Sequence, residues 1–187
     1  TSQGDIHGDV KLESRGDVIV VATNIKDDGI IQAVDGDVSA EAMYAFEKAV
    51  HAERDALIYA GSLDGISVTA VNGTASITTQ TAADVTVTAK TDASIDAGTT
   101  LSASVTLTGP VPGSTVKLSS PQEITEAIVD APGAAVYVFS GGNANLDLGD
   151  NGSPIGSAGI TAFGDLEGEV FASGNVEAYA EIGRAHV

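Results

Sequence analysis

The fold is decided by segments such as Val85-Thr86-Val87-Thr88-Ala89, in which an aliphatic side chain recurs at every second position. This period of two is that of a strand with one buried face. Between Leu57 and Val116 such segments start about nine or ten residues apart, a spacing typical of one side of a coil in a repeat protein. The same alternation occurs in residues 66–70, 101–107, 115–118, 135–139 and 176–180.

A turn tripeptide made of Gly, then Asp or Asn, then an aliphatic residue separates many of these segments. Gly tolerates positive φ, and Asp or Asn hydrogen-bonds the backbone of its own turn. We therefore expect each copy to end one strand and to start the next. The copies are Gly4-Asp5-Ile6, Gly8-Asp9-Val10, Gly16-Asp17-Val18, Gly36-Asp37-Val38, Gly164-Asp165-Leu166 and Gly174-Asn175-Val176.

The order of residues in the turns favours a solenoid. Short strands with no room for crossover helices can either pair as hairpins or stack as successive coils. Tight hairpins prefer Asn-Gly or Asp-Gly, found at Asn72-Gly73 and Asp64-Gly65, whereas most turns here have the reverse order, Gly-Asp. The sequence predicts an all-β fold, a right-handed parallel β-helix, with an antiparallel β-sandwich as the alternative.

The composition predicts a layered core. Hydrophobic residues make up 43% of the chain, but aromatic residues only 4%, and Trp is absent. The core must therefore consist of stacked Val, Ile, Leu and Ala. At roughly twenty to thirty residues per coil the chain holds about six to nine coils, a rod on the order of 30–45 Å long.

Two stretches are less regular. Residues 39–55 carry Met43, Phe46 and Val50 at helical spacing, yet Val38, Ala40, Ala42, Tyr44 and Phe46 also alternate. A helix inserted in the rod and a strand are both consistent with this stretch, and we favour the strand. Gly109-Pro110-Val111-Pro112-Gly113, Pro121, Pro132 and Pro154 predict exposed loops or bends, because Pro cannot donate to an interior ladder.

The charge excludes several classes of function. The formal net charge is -18, which repels the phosphate backbone of nucleic acids and an anionic membrane surface. No apolar run approaches the ~20 residues needed to span a bilayer, so we expect no membrane insertion. The chain has no Cys, which excludes disulfides and thiolate metal sites.

Both termini predict a fragment of a longer chain. Residues 1–180 form a single β-helical repeat region, and Thr1 is interpreted as a cut end, with any signal peptide outside it. Glu181-Ile182-Gly183-Arg184-Ala185-His186-Val187 resembles the translated read-through adapter of short-read sequencing libraries. Residues 181–187 are therefore predicted to be a non-native tail, and the chain is expected to continue at both ends.

A family resemblance is carried by two runs, Ala49-Val50-His51-Ala52-Glu53-Arg54-Asp55-Ala56-Leu57-Ile58-Tyr59-Ala60-Gly61 and Gly36-Asp37-Val38-Ser39-Ala40. They resemble repeats of the filamentous-haemagglutinin type, found in exoproteins of two-partner secretion systems and in related autotransporter passengers. The resemblance implies a β-helical stalk that is secreted and displayed at the bacterial cell surface. It implies adhesion to glycans or proteins of a host or neighbouring cell, or the presentation of a distal effector.

Calcium binding is the first alternative function. Asp5, Asp9, Asp17, Asp37 and Asp165, if stacked in register, would form a ladder of carboxylates, the ligands that Ca²⁺ prefers. The simpler interpretation is that each Asp caps its turn. Only Gly141-Gly142-Asn143, followed by Leu146-Asp147-Leu148-Gly149-Asp150, approaches the calcium-binding nonapeptide repeat.

An enzyme that degrades polysaccharides is the second alternative, because paired carboxylates cleave glycosidic bonds and acidic residues are plentiful. Against it, the chain has no Trp and few Arg, and a fold alone does not establish activity. His7 and His51 are too far apart in sequence to indicate a metal pair or a triad, and we interpret both as surface residues. We assign no catalytic, cofactor-binding or metal-ligating residue and no cofactor.

A binding face of outward hydroxyls is a third possibility. Thr69, Thr86, Thr88 and Thr106 fall on alternate positions of the predicted strands. Thr also suits any exposed strand face, which explains these residues without a ligand. Their spacing along the chain is too irregular to indicate an ice-binding ladder.

Overall fold

The computed structural model describes residues 4–27, 29–109 and 113–181, and all of the strands in these ranges belong to a single parallel sheet that winds into a solenoid. Within the described residues the solenoid has about nine turns and no helix. The predicted parallel solenoid is confirmed, and the antiparallel sandwich is wrong. The strands are β1 (Val10–Ser14), β2 (Val18–Ala22), β3 (Gly29–Ala33), β4 (Val38–Phe46), β5 (Ala49–Ala52), β6 (Ala56–Asp64), β7 (Ser67–Ala70), β8 (Ala75–Ala89), β9 (Ala93–Ala97), β10 (Thr100–Leu107), β11 (Thr115–Ser120), β12 (Glu123–Asp130), β13 (Ala135–Ser140), β14 (Ala144–Leu148), β15 (Ser157–Ala162), β16 (Leu166–Val170) and β17 (Val176–Ala180).

Each coil has two long sides joined by a short one. Face A consists of β2, β4, β6, residues 75–79 of β8, β9, β11, β13, β15 and β17. Face B consists of β1, β3, β5, β7, residues 86–89 of β8, β10, β12, β14 and β16. β8 runs through both long sides and the short side between them.

The coils are shorter than expected. Val38 pairs with Ala56, which gives a coil of 18 residues, and Ala103 pairs with Ala127, which gives the longest coil, 24 residues. The coils therefore lie at and below the lower end of the expected twenty to thirty residues. The longest coil contains the Gly109–Gly113 segment, of which residues 110–112 lie outside the described residues. Pro121, Pro132 and Pro154 lie between strands, as predicted.

Columns of aliphatic side chains fill the interior. On face A one buried column runs through Val20, Ala40, Ile58, Ile77, Ile95, Leu118, Val138 and Ile160. The next inward column contains only small side chains, which lets the chain turn sharply from face A into the short side. These residues are Ala22, Ala42, Ala60, Thr79, Ala97, Ser120, Ser140, Ala162 and Ala180.

Residues 39–55 are strands, as we favoured. β4 and β5 cover most of this stretch, and the helix alternative is wrong. Phe46 is fully buried on the short side, where it pairs with Ile25 in the preceding coil and Leu63 in the following one. A helix here would break this column. Because the described residues include no helix, none is long and apolar enough to cross a membrane.

Candidate functional site: an acidic corner and an aromatic groove

A column of aspartates marks the corner that precedes face A. Asp17 Oδ1 accepts a hydrogen bond from the backbone N–H of Asp37 at 3.0 Å, and Asp37 Oδ1 accepts one from the N–H of Asp55 at 3.0 Å. Asp55 and Asp92 act similarly on Thr74 (2.8 Å) and Thr115 (2.7 Å). Each carboxylate therefore stabilises the turn of the next coil, not its own turn as the sequence suggested.

The same contacts explain the Gly that precedes Asp. A Cβ added at Gly36 would lie 2.5 Å from Asp17 Oδ1 and 2.6 Å from the carbonyl carbon of Gly16. Gly73 packs in the same way against Asp55 and Arg54, and Gly164 packs against Asn143. At Gly36 and Gly164 the glycine of the motif is a packing requirement between adjacent coils, whereas an added Cβ at Gly8 or Gly16 would meet nothing within 4 Å.

Arg54 links two of these aspartates. Its Nη2 lies 2.9 Å from Asp17 Oδ1, and its Nε lies 3.3 Å from Asp37 Oδ1. The hydrogen bond from the Asp37 backbone lowers the pKa of Asp17 below its usual value, and Arg54 adds to this effect. The carboxylates of this column thus have protein donors as partners.

The structure does not bring the five proposed calcium ligands together. Only Asp17 and Asp37 share a corner, whereas Asp165 belongs to a different column, in which its N–H donates to Asn143 Oδ1 at 3.0 Å. Asp5 accepts a hydrogen bond from Asn24, which lowers its pKa, with a smaller contribution from His7. Within residues 4–27, 29–109 and 113–181 no three His, Cys, Asp or Glu side chains are placed to hold a metal ion.

His7 and His51 lie in different coils. His7 is exposed at the N-terminal end of the solenoid, with Nε2 3.3 Å from Asp5 and Nδ1 3.7 Å from Asp27. His51 lies on β5, paired with Gln32 and Thr69 in the flanking coils. The structure therefore offers no pairing of the two rings.

The Gly141–Asp150 segment forms a strand and its flanking turns. Gly142 and Asn143 precede β14, and Asp147 lies on that strand, paired with Ile128 and Glu169. Asp150 Oδ1 accepts the backbone N–H groups of Gly152 (2.6 Å) and Ser153 (2.7 Å), which is ordinary turn capping.

The outward threonines are more regular in space than in sequence. Thr69, Thr88 and Thr106 occupy one column of face B in three successive coils. Thr86 lies in the neighbouring column, between Ser67 and Ser104. The column continues into His51 and Asp130, so the hydroxyl array ends after those three coils.

An aromatic groove on face A was not foreseen from the sequence. Two outward columns form it: Lys117, Tyr137, Gly159 and Glu177 in one, and Ser119, Phe139, Thr161 and Tyr179 in the other. The depression that they line has a volume of about 620 Å³. Tyr137, Phe139 and Tyr179 are all exposed.

Ring contacts extend the groove across coils. Phe163 lies edge to face against Phe139, with centroids 6.0 Å apart, and against Tyr179, with centroids 6.2 Å apart. The Tyr137 ring packs beside Gly159, where an added Cβ would lie 3.3 Å from Cδ1 of Tyr137. The sequence signal was present in β13, because Tyr137 and Phe139 alternate with the inward residues Val136 and Val138.

A second depression on face B carries carboxylates. Glu126, Asp147 and Glu169 line a volume of about 260 Å³, and Asp147 and Glu169 are direct neighbours in adjacent coils. In the C-terminal coils, face B thus carries an acidic depression and face A an aromatic one.

Comparison with protein-family models, with curated proteins and with solved structures finds no match.

Proposed function

We propose that this chain is a structural and adhesive stalk segment of a large secreted bacterial surface protein of the filamentous-haemagglutinin type. The observation that supports the proposal is the uninterrupted axial stacking. Every described strand pairs in parallel with the equivalent strand of the neighbouring coil, and one buried apolar cluster extends from Val20 to Ala162. Pulling along the axis therefore loads the backbone hydrogen bonds between two coils together, and successive interfaces between coils carry the load in series.

The last described coil supports continuation of the stalk. The inward column that begins Val18, Val38 and Ala56 ends at Val176, which is 47% exposed. In the proposed stalk this exposed aliphatic side chain would pack against a neighbouring coil. In the proposed protein, additional coils cover this surface.

The charge is consistent with an exposed, non-aggregating rod. A solenoid made of strands has open edges that can pair with other chains, and a net charge of -18 opposes such pairing. The proposal includes export by two-partner secretion or as an autotransporter passenger, which is what the resemblance to secreted exoproteins implies.

Two measurements test this function. Antibodies against the chain should label intact cells of the source organism, and labelling only after permeabilisation would contradict the proposed location. Single-molecule stretching of the chain should release contour length in steps of one or a few coils, each ~70 Å for about 20 residues. Release of the whole chain in one step at low force would contradict a stalk role.

A further inference from the structure

The aromatic groove has the properties of a ligand site. Ligand pockets typically enclose ~300–1,000 Å³, with apolar walls and a few placed polar groups, and the volume here is about 620 Å³. Gly159 forms the floor between Tyr137 and Glu177. Gly159 has no side chain above the strand, so it leaves space beside the Tyr137 ring in which a ligand can approach the backbone.

Electrostatics narrow the class of ligand. The net charge of -18 repels polyanions, including sulfated or uronic-acid polysaccharides and acidic proteins. The same repulsion opposes a second copy of this chain in the groove. Within the groove the charges of Lys117 and Glu177 offset each other. The lining therefore has no net formal charge to hold an anion or a cation, which suits a neutral ligand.

The polar groups of the groove match a polyhydroxylated ligand. Lys117 supplies N–H donors, the Glu177 carboxylate supplies acceptors, and the hydroxyl of Thr161 can do both. Sugar hydroxyls likewise donate and accept, and the C–H faces of sugar rings stack on exposed aromatic side chains. The column from Lys117 to Glu177 spans three coil intervals, ~14 Å at ~4.8 Å per coil, so more than one sugar ring fits.

We propose that the aromatic groove of face A binds a neutral oligosaccharide, with Tyr137, Phe139 and Tyr179 as stacking surfaces. This inference rests on the adhesive part of the proposed function and names its ligand class. The stalk part is independent of it, because the groove side chains point outward and the core does not use them.

The test measures binding of neutral hexasaccharides of glucose, galactose and N-acetylglucosamine by calorimetry, with heparin hexasaccharide and hexalysine as charged probes. Phe139→Ala removes one aromatic ring from the groove. Gly159→Val keeps every ring but places a side chain in the space above Gly159 that the ligand would occupy. Tyr59→Ala is the matched control, because Tyr59 belongs to the same outward column as Phe139 and is similarly exposed, 46% against 42%. Melting temperatures of all variants establish that each is folded.

We expect at least one neutral hexasaccharide to bind. Phe139→Ala should weaken its affinity about tenfold, Gly159→Val should weaken it at least as much, and Tyr59→Ala should leave it unchanged. The proposal is overturned if no neutral probe binds, if heparin or hexalysine binds more tightly and loses that affinity in Phe139→Ala, or if folded Gly159→Val binds like the wild type. It is also overturned if sedimentation reveals a dimer that Phe139→Ala dissociates. None of these results would change the outcome of the cell-surface labelling and stretching experiments, which test the stalk function separately.

Discussion

The Nζ atom of Lys48 donates a 2.7 Å hydrogen bond to the carbonyl oxygen of Gly8, a residue two coils away. Nζ also lies 3.2 Å from the carbonyl oxygen of Asp27, in the coil between them. The Lys48 side chain is 0% exposed, and it passes Gly29, where a Cβ would lie 2.8 Å from Nζ. One buried ammonium therefore ties together the first three coils.

Replacing Lys48 by Met should destabilise the N-terminal coils. Met keeps much of the length of the side chain but leaves the two carbonyl oxygens without their charged donor. Hydrogen bonds to charged groups contribute ~1.5–3 kcal/mol, so we expect a loss of about 2–3 kcal/mol in the free energy of unfolding, measured by urea denaturation. The control is Lys90→Met, which removes an exposed contact to Asn72 at 2.9 Å and should change stability by less than ~0.5 kcal/mol. Equal effects of the two substitutions would contradict the assigned role of Lys48.

The corner glycines give a second prediction. Gly36→Ala should destabilise the protein by about 2 kcal/mol, because the new Cβ would overlap the Asp17 carboxylate and the Gly16 backbone. Gly16 occupies the same place in the first copy of the corner but has nothing within 4 Å of an added Cβ. Gly16→Ala should therefore be neutral or raise stability by about 0.5 kcal/mol, through the unfolded chain. The melting temperatures of both variants test this prediction. A Gly36→Ala variant as stable as Gly16→Ala would refute the packing explanation.

The sequence predicted what depends on local pattern and missed what depends on register. The alternation at Val85-Thr86-Val87-Thr88-Ala89 was enough to predict inward and outward residues, because a strand has a fixed period of two. The partner of the Asp17 carboxylate is the N–H of Asp37, 20 residues on, and it is identified only once the coil length is known.

The aromatic groove was missed for the same reason. Phe139 and Tyr179 lie far apart in sequence, and both contact Phe163 only because three coils stack in register. The burial of Lys48 was missed for a different reason. A Lys side chain is expected to be exposed unless a partner for its charge can be identified, and a sequence does not identify backbone carbonyl groups two coils away as partners.

Acid should weaken the corner through Asp17. Its pKa is lowered in the folded protein by the Asp37 N–H and then by Arg54, so the unfolded chain binds a proton more readily than the folded one. The contribution of Asp17 is therefore fully present above its unfolded pKa, ~3.9, and is lost as the pH falls through the lowered folded value. Asp17→Asn keeps an acceptor oxygen but does not titrate.

We therefore expect urea midpoints of Asp17→Asn to fall less steeply between pH 5 and pH 2 than those of the wild type, to an extent set by the shift of this one group. Arg54→Met removes the smaller contribution to the lowered pKa of Asp17 and keeps the hydrogen bond from the Asp37 backbone. The pH dependence of its urea midpoint should therefore lie between that of the wild type and that of Asp17→Asn. Identical profiles for Asp17→Asn and the wild type would show that this carboxylate is not coupled to folding.

Phe46 should be the most sensitive aromatic residue for stability, and its effect should be local. It is fully buried between Ile25 and Leu63, so Phe46→Ala leaves a cavity and should lower the free energy of unfolding by about 3–5 kcal/mol. Phe163→Ala removes a ring of the same type from the exposed aromatic cluster and should lower the free energy of unfolding by about 1 kcal/mol or less.

In a solenoid each coil contacts only its neighbours, so a defect at Phe46 weakens nearby coils first. Hydrogen exchange should therefore accelerate at the amides of Ile25 and Leu63 while that of Ile160 stays protected; uniform acceleration along the chain would mean that the coils unfold as one unit.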